Sequence, residues 1–360
     1  MESTGKYYIP VYNVLEDYIS NIVVANPKWV RAVKGEKDDD KDAKWIADLF
    51  KLGIVNGSFI PFKDIRILRE LTRYKFKLTS IRSSEKNRYQ NALTVGNCKL
   101  DMVFSDVFGK SSSNIANLIL LDEPYSKEDI LSKVHGRCKA SEEDIINAVS
   151  GIDFTPIQKA RINLIQKHLD QVSENINEVN KMIDIMAKPF EDKIDFLCQI
   201  LGIRRDSAII ILYEIGNDMN QFSSSRRILA WTRLTPMNNQ SAGKKKSVRI
   251  SRAGVYLKPC LVEIAHAVVK DKEHPYYANK FNKISKRRGK KRAYIAIARK
   301  ILVAIYHMLL TGEIWKPRDL SDIETPVKQR EKNLKNNLKS EIIQLLSIGL
   351  TIDDLTDFIQ

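Results

Sequence analysis

An acidic run in the N-terminal part of the chain has the residue types and the spacing to hold a hard metal ion. In GEKDDDKDAKW, Asp39 and Asp42 are three residues apart at the predicted start of a helix. Side chains at this spacing project from one face of a helix, where two carboxylates can share a hard Mg²⁺ ion. The same carboxylates could instead cap the helix and complement its dipole. The spacing alone leaves both interpretations open.

A second candidate is Ser241, within NNQSAGKKKSVRISRAG. A serine hydroxyl flanked by ammonium groups could attack a phosphodiester while the cations hold the phosphate. No histidine or aspartate is adjacent in sequence to serve as its base, so a basic surface turn is the alternative. Either way, we predict that the neighbouring cations contact a nucleic-acid backbone: Lys244, Lys245, Lys246, Arg249 and Arg252.

The excess positive charge of the chain lies in one segment. The net charge is +15, and residues 241–300 contain 18 basic and 3 acidic residues, which accounts for the whole excess. Within KISKRRGKKRAYIAIARK no acid separates the cations, so they would repel one another unless a phosphate backbone neutralised them. We therefore predict a nucleic-acid backbone site at Lys286, Arg287, Arg288, Lys290, Lys291 and Arg292.

Two long helical patterns must position these groups. Residues 64–97 form a basic helical stretch in which Arg69 and Arg73 are predicted to contact nucleic acid, a solvated face being the alternative. A heptad stripe follows, with apolar residues in steps of three and four from Ile162 to Met186. It predicts a coiled coil that joins copies of the chain into a homo-oligomer. An intramolecular antiparallel hairpin would use the same stripe.

Several classes of protein are disfavoured by the same sequence. No apolar run reaches the roughly 18 residues of a membrane span, and the N-terminus lacks the features of a secretory signal. The four cysteines and five histidines are too scattered for a zinc site. We therefore expect a reduced, cytoplasmic protein that does not contact a membrane.

Four ordered segments carry a resemblance to a known family: MESTGKYYIPVYNVLE, GEKDDDKDAKWIADLF, GSFIPFKDIRILRELTRYKFKL and NNQSAGKKKSVRISRAGVYLKPCL. Together they resemble the transposases (recombinases) of the insertion-sequence one-ten family, over residues 1 to about 312. The resemblance implies an α/β part and a mainly α part. The first is a RuvC-like (RNase H-like) domain with a DEDD set of acidic residues, and the second is a helical transposase domain with a serine.

The resemblance also implies roles for individual residues. Glu2 matches the second acidic position, and Asp39 and Asp42 match the third and fourth, which together would hold Mg²⁺. Ser241 matches the serine nucleophile, which attacks a DNA phosphate and forms a covalent protein–DNA link. The chain begins at the second acidic motif, so we expect it to lack the first strands and first aspartate of that domain and to cleave DNA poorly.

The implied organisation has four parts. They are an incomplete RuvC-like domain at 1–150, a coiled-coil linker at 151–190, a serine-bearing transposase domain at 191–312 and a charged tail with a terminal helix at 313–360. The implied function is DNA cleavage and rejoining in transposition, with DNA (element ends and target) and a structured RNA from the element as partners. The alternatives are a non-catalytic, dimeric nucleic-acid-binding remnant and a RuvC-like metal-dependent junction nuclease.

Overall fold

The computed structural model describes residues 1–3, 5–30, 38–55, 57–58, 60–121, 123–235, 239–241, 244–247, 254–317 and 326–347. The described chain is mostly helical and divides into two compact units. One unit is the continuous segment 62–189, and the other combines residues 1–61 with residues 190–360. The four-part organisation expected from the sequence stays a prediction beside this division.

The unit 62–189 is a helical hairpin with a cluster of short helices between its two long arms. Thr155 begins the second arm with a capping box, in which its side chain and that of Gln158 satisfy each other's backbone N–H groups, and Pro156 follows in the first turn. Buried side chains including Ile115, Ile119 and Ile145 form the core of the cluster. Helices are numbered in chain order, and this unit contains α4 (Lys63–Val95), α5 (Leu100–Val103), α6 (Lys110–Leu120), α7 (Lys127–Ser132), α8 (Glu142–Val149) and α9 (Pro156–Ala187).

The two long arms, α4 and α9, pack against each other in opposite directions. The His168 ring lies 3.4 Å from the Glu85 carboxylate. Nearer the turn, Phe154 occupies the space that a side chain at Gly96 would need. The contact between these two helices is the most extensive one between any two described elements.

The predicted heptad stripe is the seam of this hairpin. The buried residues of α9 are Ile162, Leu169, Val172, Ile176, Val179, Ile183 and Ala187. Because α4 covers them within one chain, the expectation that this stripe joins two copies is corrected. The intramolecular antiparallel hairpin, the alternative left open by the sequence, is what the structure has.

In the other unit, the described residues of the segment 1–61 form three helices and two isolated bridges. The helices are α1 (Tyr8–Leu15), α2 (Pro27–Val30) and α3 (Asp39–Lys51). Glu2 bridges Ala25 in parallel, and Ala25 bridges Gly57 antiparallel. These bridges are the whole sheet character of the described part of residues 1–61, so the α/β class of this region stays a prediction.

The C-terminal part of that unit is built around one buried helix, α15. Its buried residues include Ile297, Ile301, Leu302 and Ile305, and α12, α13 and α14 pack against it. The elements are α10 (Glu191–Cys198), α11 (Arg205–Ile215), α12 (Ser225–Trp231), β1 (Asn239–Ser241), β2 (Lys244–Ser247), α13 (Leu257–Lys270), α14 (Tyr276–Arg288), α15 (Lys290–Thr311) and α16 (Pro326–Ser347). The mainly α character expected here is confirmed.

Among the described helices, α15 is the one whose length and apolar composition would suit a membrane span. Half of its most apolar window is buried inside the protein. Core helices of folded proteins pass the same test, so the composition of α15 is weak evidence for a membrane.

Candidate functional site

Ser241 lies at the end of a short β-hairpin rather than in an irregular loop. It is the last residue of β1 and pairs with Lys244, the first residue of β2, while Gln240 pairs with Lys245. The antiparallel pairing therefore places the serine strand directly beside the strand Lys244–Ser247, which carries the three lysines. The predicted cations Arg249 and Arg252 lie outside the described residues.

The segment 233–254, which carries Ser241, begins and ends beside the C-terminus of α12. Arg233, just after α12, has a left-handed backbone (φ 58°), and Gly254, before α13, has φ 83°. A Cβ atom added to Gly254 would lie 2.9 Å from the carbonyl oxygen of Thr232. Both ends of the segment 233–254 thus meet at the C-terminus of α12, where only a residue without a side chain fits at position 254.

The predicted cations around Gly289 form an exposed basic turn. Gly289 joins α14 to α15 with φ 81°, and six of the seven residues from 286 to 292 are basic. The structure leaves all six exposed: Lys286, Arg287, Arg288, Lys290, Lys291 and Arg292. We name these six residues the basic turn.

The basic turn is only partly explained by helix stability. Lys286, Arg287 and Arg288 occupy the last turn of α14, where cations stabilise the negative end of the helix dipole. Lys290, Lys291 and Arg292 occupy the first turn of α15, which contains no acid. Cations at this end oppose the dipole. Their placement therefore has an unfavourable internal energy that a bound anion would offset.

Arg69 and Arg73 have different surroundings. Both lie on α4 in the unit 62–189, both are half-buried, and both have partners within the chain. A structural role accounts for their position. Their predicted contact with nucleic acid stays a prediction.

Glu2 and α3 line one cavity of about 380 Å³. Ala43, Ile46, Ala47 and Phe50 contribute the α3 wall, at the spacing of a single helix face. Asp39 is four residues before Ala43, so it lies on the same face of α3, one turn closer to the N-terminus of the helix. The apolar face of α3 thus positions the acidic first turn next to the segment that holds Glu2.

Asp39 and Asp42 are exposed in the first turn of α3. Asp38 is the N-cap, and its side chain accepts a hydrogen bond from the Asp40 N–H at 3.2 Å. The capping role is thus filled by Asp38, which leaves the carboxylates of Asp39 and Asp42 for the dipole or for a ligand.

The described residues contain no group of three or more His, Cys, Asp or Glu side chains that could hold a metal ion. Glu2, Asp39 and Asp42 are therefore not gathered into one cluster. Mg²⁺ is usually held by only one or two carboxylates together with water and substrate phosphates. The pair Asp39 and Asp42 fits that donor set, because both are oxygen donors on one exposed helix face.

Sequence reasoning missed the basic and aromatic residues of α12. Arg226, Arg227 and Trp231 are all exposed in the structure. The available signal was the absence of acid: from Asp218 to Glu263 the intervening residues include nine Lys or Arg and no Asp or Glu. The acid-free segment thus begins before α12 and extends past the serine hairpin.

Two protein-family models match this chain. The first, described as Transposase IS116/IS110/IS902 family, matches residues 194–280, and the second, a DEDD-type transposase model of the IS110 family, matches residues 1–96. The matched ranges contain Ser241 in one case and Glu2, Asp39 and Asp42 in the other.

Two curated proteins are similar over part of the chain. The transposase for insertion sequence element IS1111A of Coxiella burnetii is 28% identical over 199 residues, which are 52% of this chain and 52% of that protein. The probable cell division protein WhiA of Ligilactobacillus salivarius is 24% identical over 183 residues, 48% of this chain and 52% of that protein. The chain spans about half the length of the curated relatives it matches. With both family models and the Coxiella relative in agreement, the chain belongs to the IS110 family of transposases.

Proposed function

We propose that this protein cleaves and rejoins DNA strands in transposition, with Ser241 as the nucleophile. The observation that carries the proposal is the pairing of the Ser241 strand with the Lys244–Ser247 strand, on a segment whose ends are fixed at Thr232. A serine on a strand paired with a lysine-rich strand suits phosphoryl transfer, because cations can offset the charge that develops on the phosphate oxygens.

The proposed reaction is two successive transesterifications. The Ser241 hydroxyl attacks a DNA phosphorus, the new serine–phosphate bond forms, and one phosphorus–oxygen bond to deoxyribose breaks. The released deoxyribose oxygen takes up a proton. A hydroxyl group from another strand then attacks the seryl phosphodiester, which restores the serine and joins the strands, so that the number of phosphodiester bonds is conserved.

The acidic residues have a supporting role in this proposal. Asp39 and Asp42 would hold a divalent cation, Mg²⁺ in our proposal. Glu2, which lines the cavity beside α3, would join them only when DNA and the ion are bound. A bound divalent ion supplies positive charge to phosphate oxygens. The acidic helix and the serine hairpin belong to the same compact unit, which supports a joint role on one substrate.

The partners follow from the charge distribution and from the family. We propose that the basic turn and the lysines of β2 hold DNA backbones at element ends and targets, and that a structured RNA from the element uses the same kind of contact. A homo-oligomer is also proposed, through a surface other than the seam of α9. Such a protein works where the DNA is, and we place it in the cytoplasm.

A covalent-adduct assay tests the proposal. DNA carrying element ends is incubated with the protein and Mg²⁺, denatured, and analysed for protein that stays attached to DNA. We expect a low yield of adduct with the unchanged chain and none with Ser241→Ala. Ser247→Ala, at the end of the paired strand, is the matched control and should keep the adduct.

The two alternatives give other results in this assay. Cleavage that persists in Ser241→Ala but is lost in the double variant Asp39→Asn, Asp42→Asn would indicate a metal-dependent nuclease. Tight binding without cleavage or adduct would indicate a non-catalytic remnant. Either result contradicts the assignment of Ser241.

A further inference from the structure

Trp231 is a large apolar side chain that the fold leaves in solvent. It is the last residue of α12, and 47% of it is exposed, whereas Ile228 and Leu229 on the same helix are buried. Arg227 is one turn earlier at the i,i+4 spacing and is also exposed, so the arginine and the indole share a helix face.

The indole is supported from beneath. Its ring packs against that of Phe222 in a T-shaped arrangement, with ring centroids 5.8 Å apart. The Phe222 carbonyl oxygen accepts a hydrogen bond at 3.1 Å from the hydroxyl of Tyr306, a buried residue of α15. The exposed ring is thus connected through Phe222 to the central helix of the unit, which limits the orientations that it can adopt.

Trp231 lies next to the point where the two ends of the Ser241 segment meet. Its neighbour Thr232 is the residue whose carbonyl oxygen is approached by Gly254, where the two ends of the Ser241 segment meet. Whatever the hairpin binds is held on a segment that is anchored one residue from this indole.

The charge around Trp231 favours a polyanionic partner over a protein one. The acid-free segment contains Trp231 and has nine basic residues, with Arg226 and Arg227 exposed on α12 itself. An exposed aromatic ring between cations is the combination that binds single-stranded nucleic acid, because each base can stack on the ring while its phosphate meets a cation. Strand exchange requires local separation of the two DNA strands, so an unpaired base near the serine is an expected intermediate of the proposed function.

We infer that Trp231 is a stacking platform for one unpaired nucleobase beside the serine hairpin, with Arg227 on the adjoining phosphate. The inference deepens the proposed function, since it names the form of the substrate that the site takes: a strand with an unpaired base. Trp231 is a substrate-positioning residue in this assignment.

The test measures binding of the full chain to a short single-stranded oligonucleotide that contains 2-aminopurine, and to the matching duplex. Trp231→Leu keeps an apolar side chain but removes the aromatic face. We expect it to weaken binding of the single strand by about 5- to 150-fold and to abolish the fluorescence change of the 2-aminopurine, with duplex binding unchanged. Trp231→Phe keeps a ring, and Trp315→Leu removes a tryptophan outside the acid-free segment; both should bind the single strand nearly as the unchanged chain does.

Two results would overturn the inference. One is that Trp231→Leu binds the single strand as tightly as the unchanged chain does. If that variant also changes the mass measured by light scattering, Trp231 lies in an interface between copies of the chain instead. The other is an equal loss of single-strand and duplex binding. Because the assay needs no cleavage, it can succeed or fail independently of the Ser241 adduct.

Discussion

The α4–α9 hairpin and the α14–α15 pair are both built from two packed helices with many basic residues. In α4, Arg69 and Arg73 are half-buried and have partners within the chain. Around Gly289, the six cations of the basic turn are exposed, and three of them oppose the dipole of α15. The cations of a basic helix can therefore stabilise the fold or bind a ligand, and their burial distinguishes the two roles.

The two pairs also differ in what holds them together. The α4–α9 seam contains a charged residue: the Glu85 side chain is only 4% exposed and contacts Arg88 and the His168 ring. The α14–α15 contact is aromatic, with the rings of Phe281 and Tyr294 4.4 Å apart. Charged side chains thus take part in the packing of the α4–α9 pair, whereas in the α14–α15 pair the exposed cations are available to bind a ligand.

Disrupting the seam should have the largest effect. The double variant Leu169→Asp, Ile176→Asp places two carboxylates in the buried seam, and we expect it to lose on the order of 5 kcal/mol or more of stability. Hydrogen exchange should become fast throughout residues 62–189 while α15 stays protected. If the variant instead keeps its protection and only halves in mass, the stripe joins copies after all.

The basic turn should control the salt dependence of DNA binding. The affinity falls as salt rises, and each lost phosphate contact makes the slope of log affinity against log salt less steep by about 0.9. The variant Lys286→Ala, Arg287→Ala, Arg288→Ala, Lys290→Ala should therefore make the slope less steep by about 3–4 between 50 and 200 mM salt. Arg69→Ala, Arg73→Ala is the comparison, and we expect it to change the slope less, because both side chains are half-buried and have partners within the chain. An equal drop in both variants would erase the distinction between the two helix pairs.

Removing the buried charge of the seam should have a smaller effect. Glu85→Gln keeps the shape of the side chain but weakens its contacts with Arg88 and His168, at a cost of about 1–3 kcal/mol. Chemical denaturation measures the loss. Glu70→Gln, at an exposed position of the same helix, is the matched control and should be nearly neutral. A neutral Glu85→Gln would show that the charge is dispensable.

The smallest effect should appear at alkaline pH. Burial raises the pKa of the Cys98 thiol to about 11, in the hairpin unit, and that of the Cys260 thiol to about 12, in the other unit. Between the pKa of the thiol in the unfolded chain and its higher pKa in the folded protein, only the unfolded state loses the proton. The folded protein therefore loses stability as the pH rises through this range. We expect a loss of about 1 kcal/mol or less per thiol at about pH 9.5, measured as a lower Tm.

The two cysteines can be separated by mutation. Cys98→Ala should flatten the alkaline decline for residues 62–189 alone, as followed by hydrogen exchange. A decline that is unchanged in this variant would assign the effect to other groups.

The sequence predicted the long helices well because their signals are local. The capping box at Thr155 and the stripe from Ile162 onward determine where α9 begins and which face it buries. Its partner α4 was not recognised as a partner, because Thr72 and Glu85 interrupt the apolar pattern of its buried face. Since no second apolar stripe was visible in the sequence, the stripe of α9 was predicted to pair with another copy of the chain. Polar residues in a buried helix face prevent its recognition from hydrophobicity alone.

The candidate site was predicted in part. The cations of the basic turn could be named because a run of like charges is visible in the sequence, and the structure leaves them exposed. The serine hairpin was not predicted as a pair of strands, because β1 and β2 are too short for an alternating pattern. Trp231 was missed because a single tryptophan has no periodicity, and only the fold shows that it is exposed.

The connections within the two helix pairs have a consequence for the order in which the molecule assembles. Gly289 alone separates α14 from α15, so that these helices meet without closing a loop. The arms α4 and α9 are separated by the residues of α5 to α8, and the entropy of closing that connection must be lost before the seam gains any contact. We expect the basic turn to form early in folding, and the seam to close only after the cluster around Ile115 has brought the ends of its arms together.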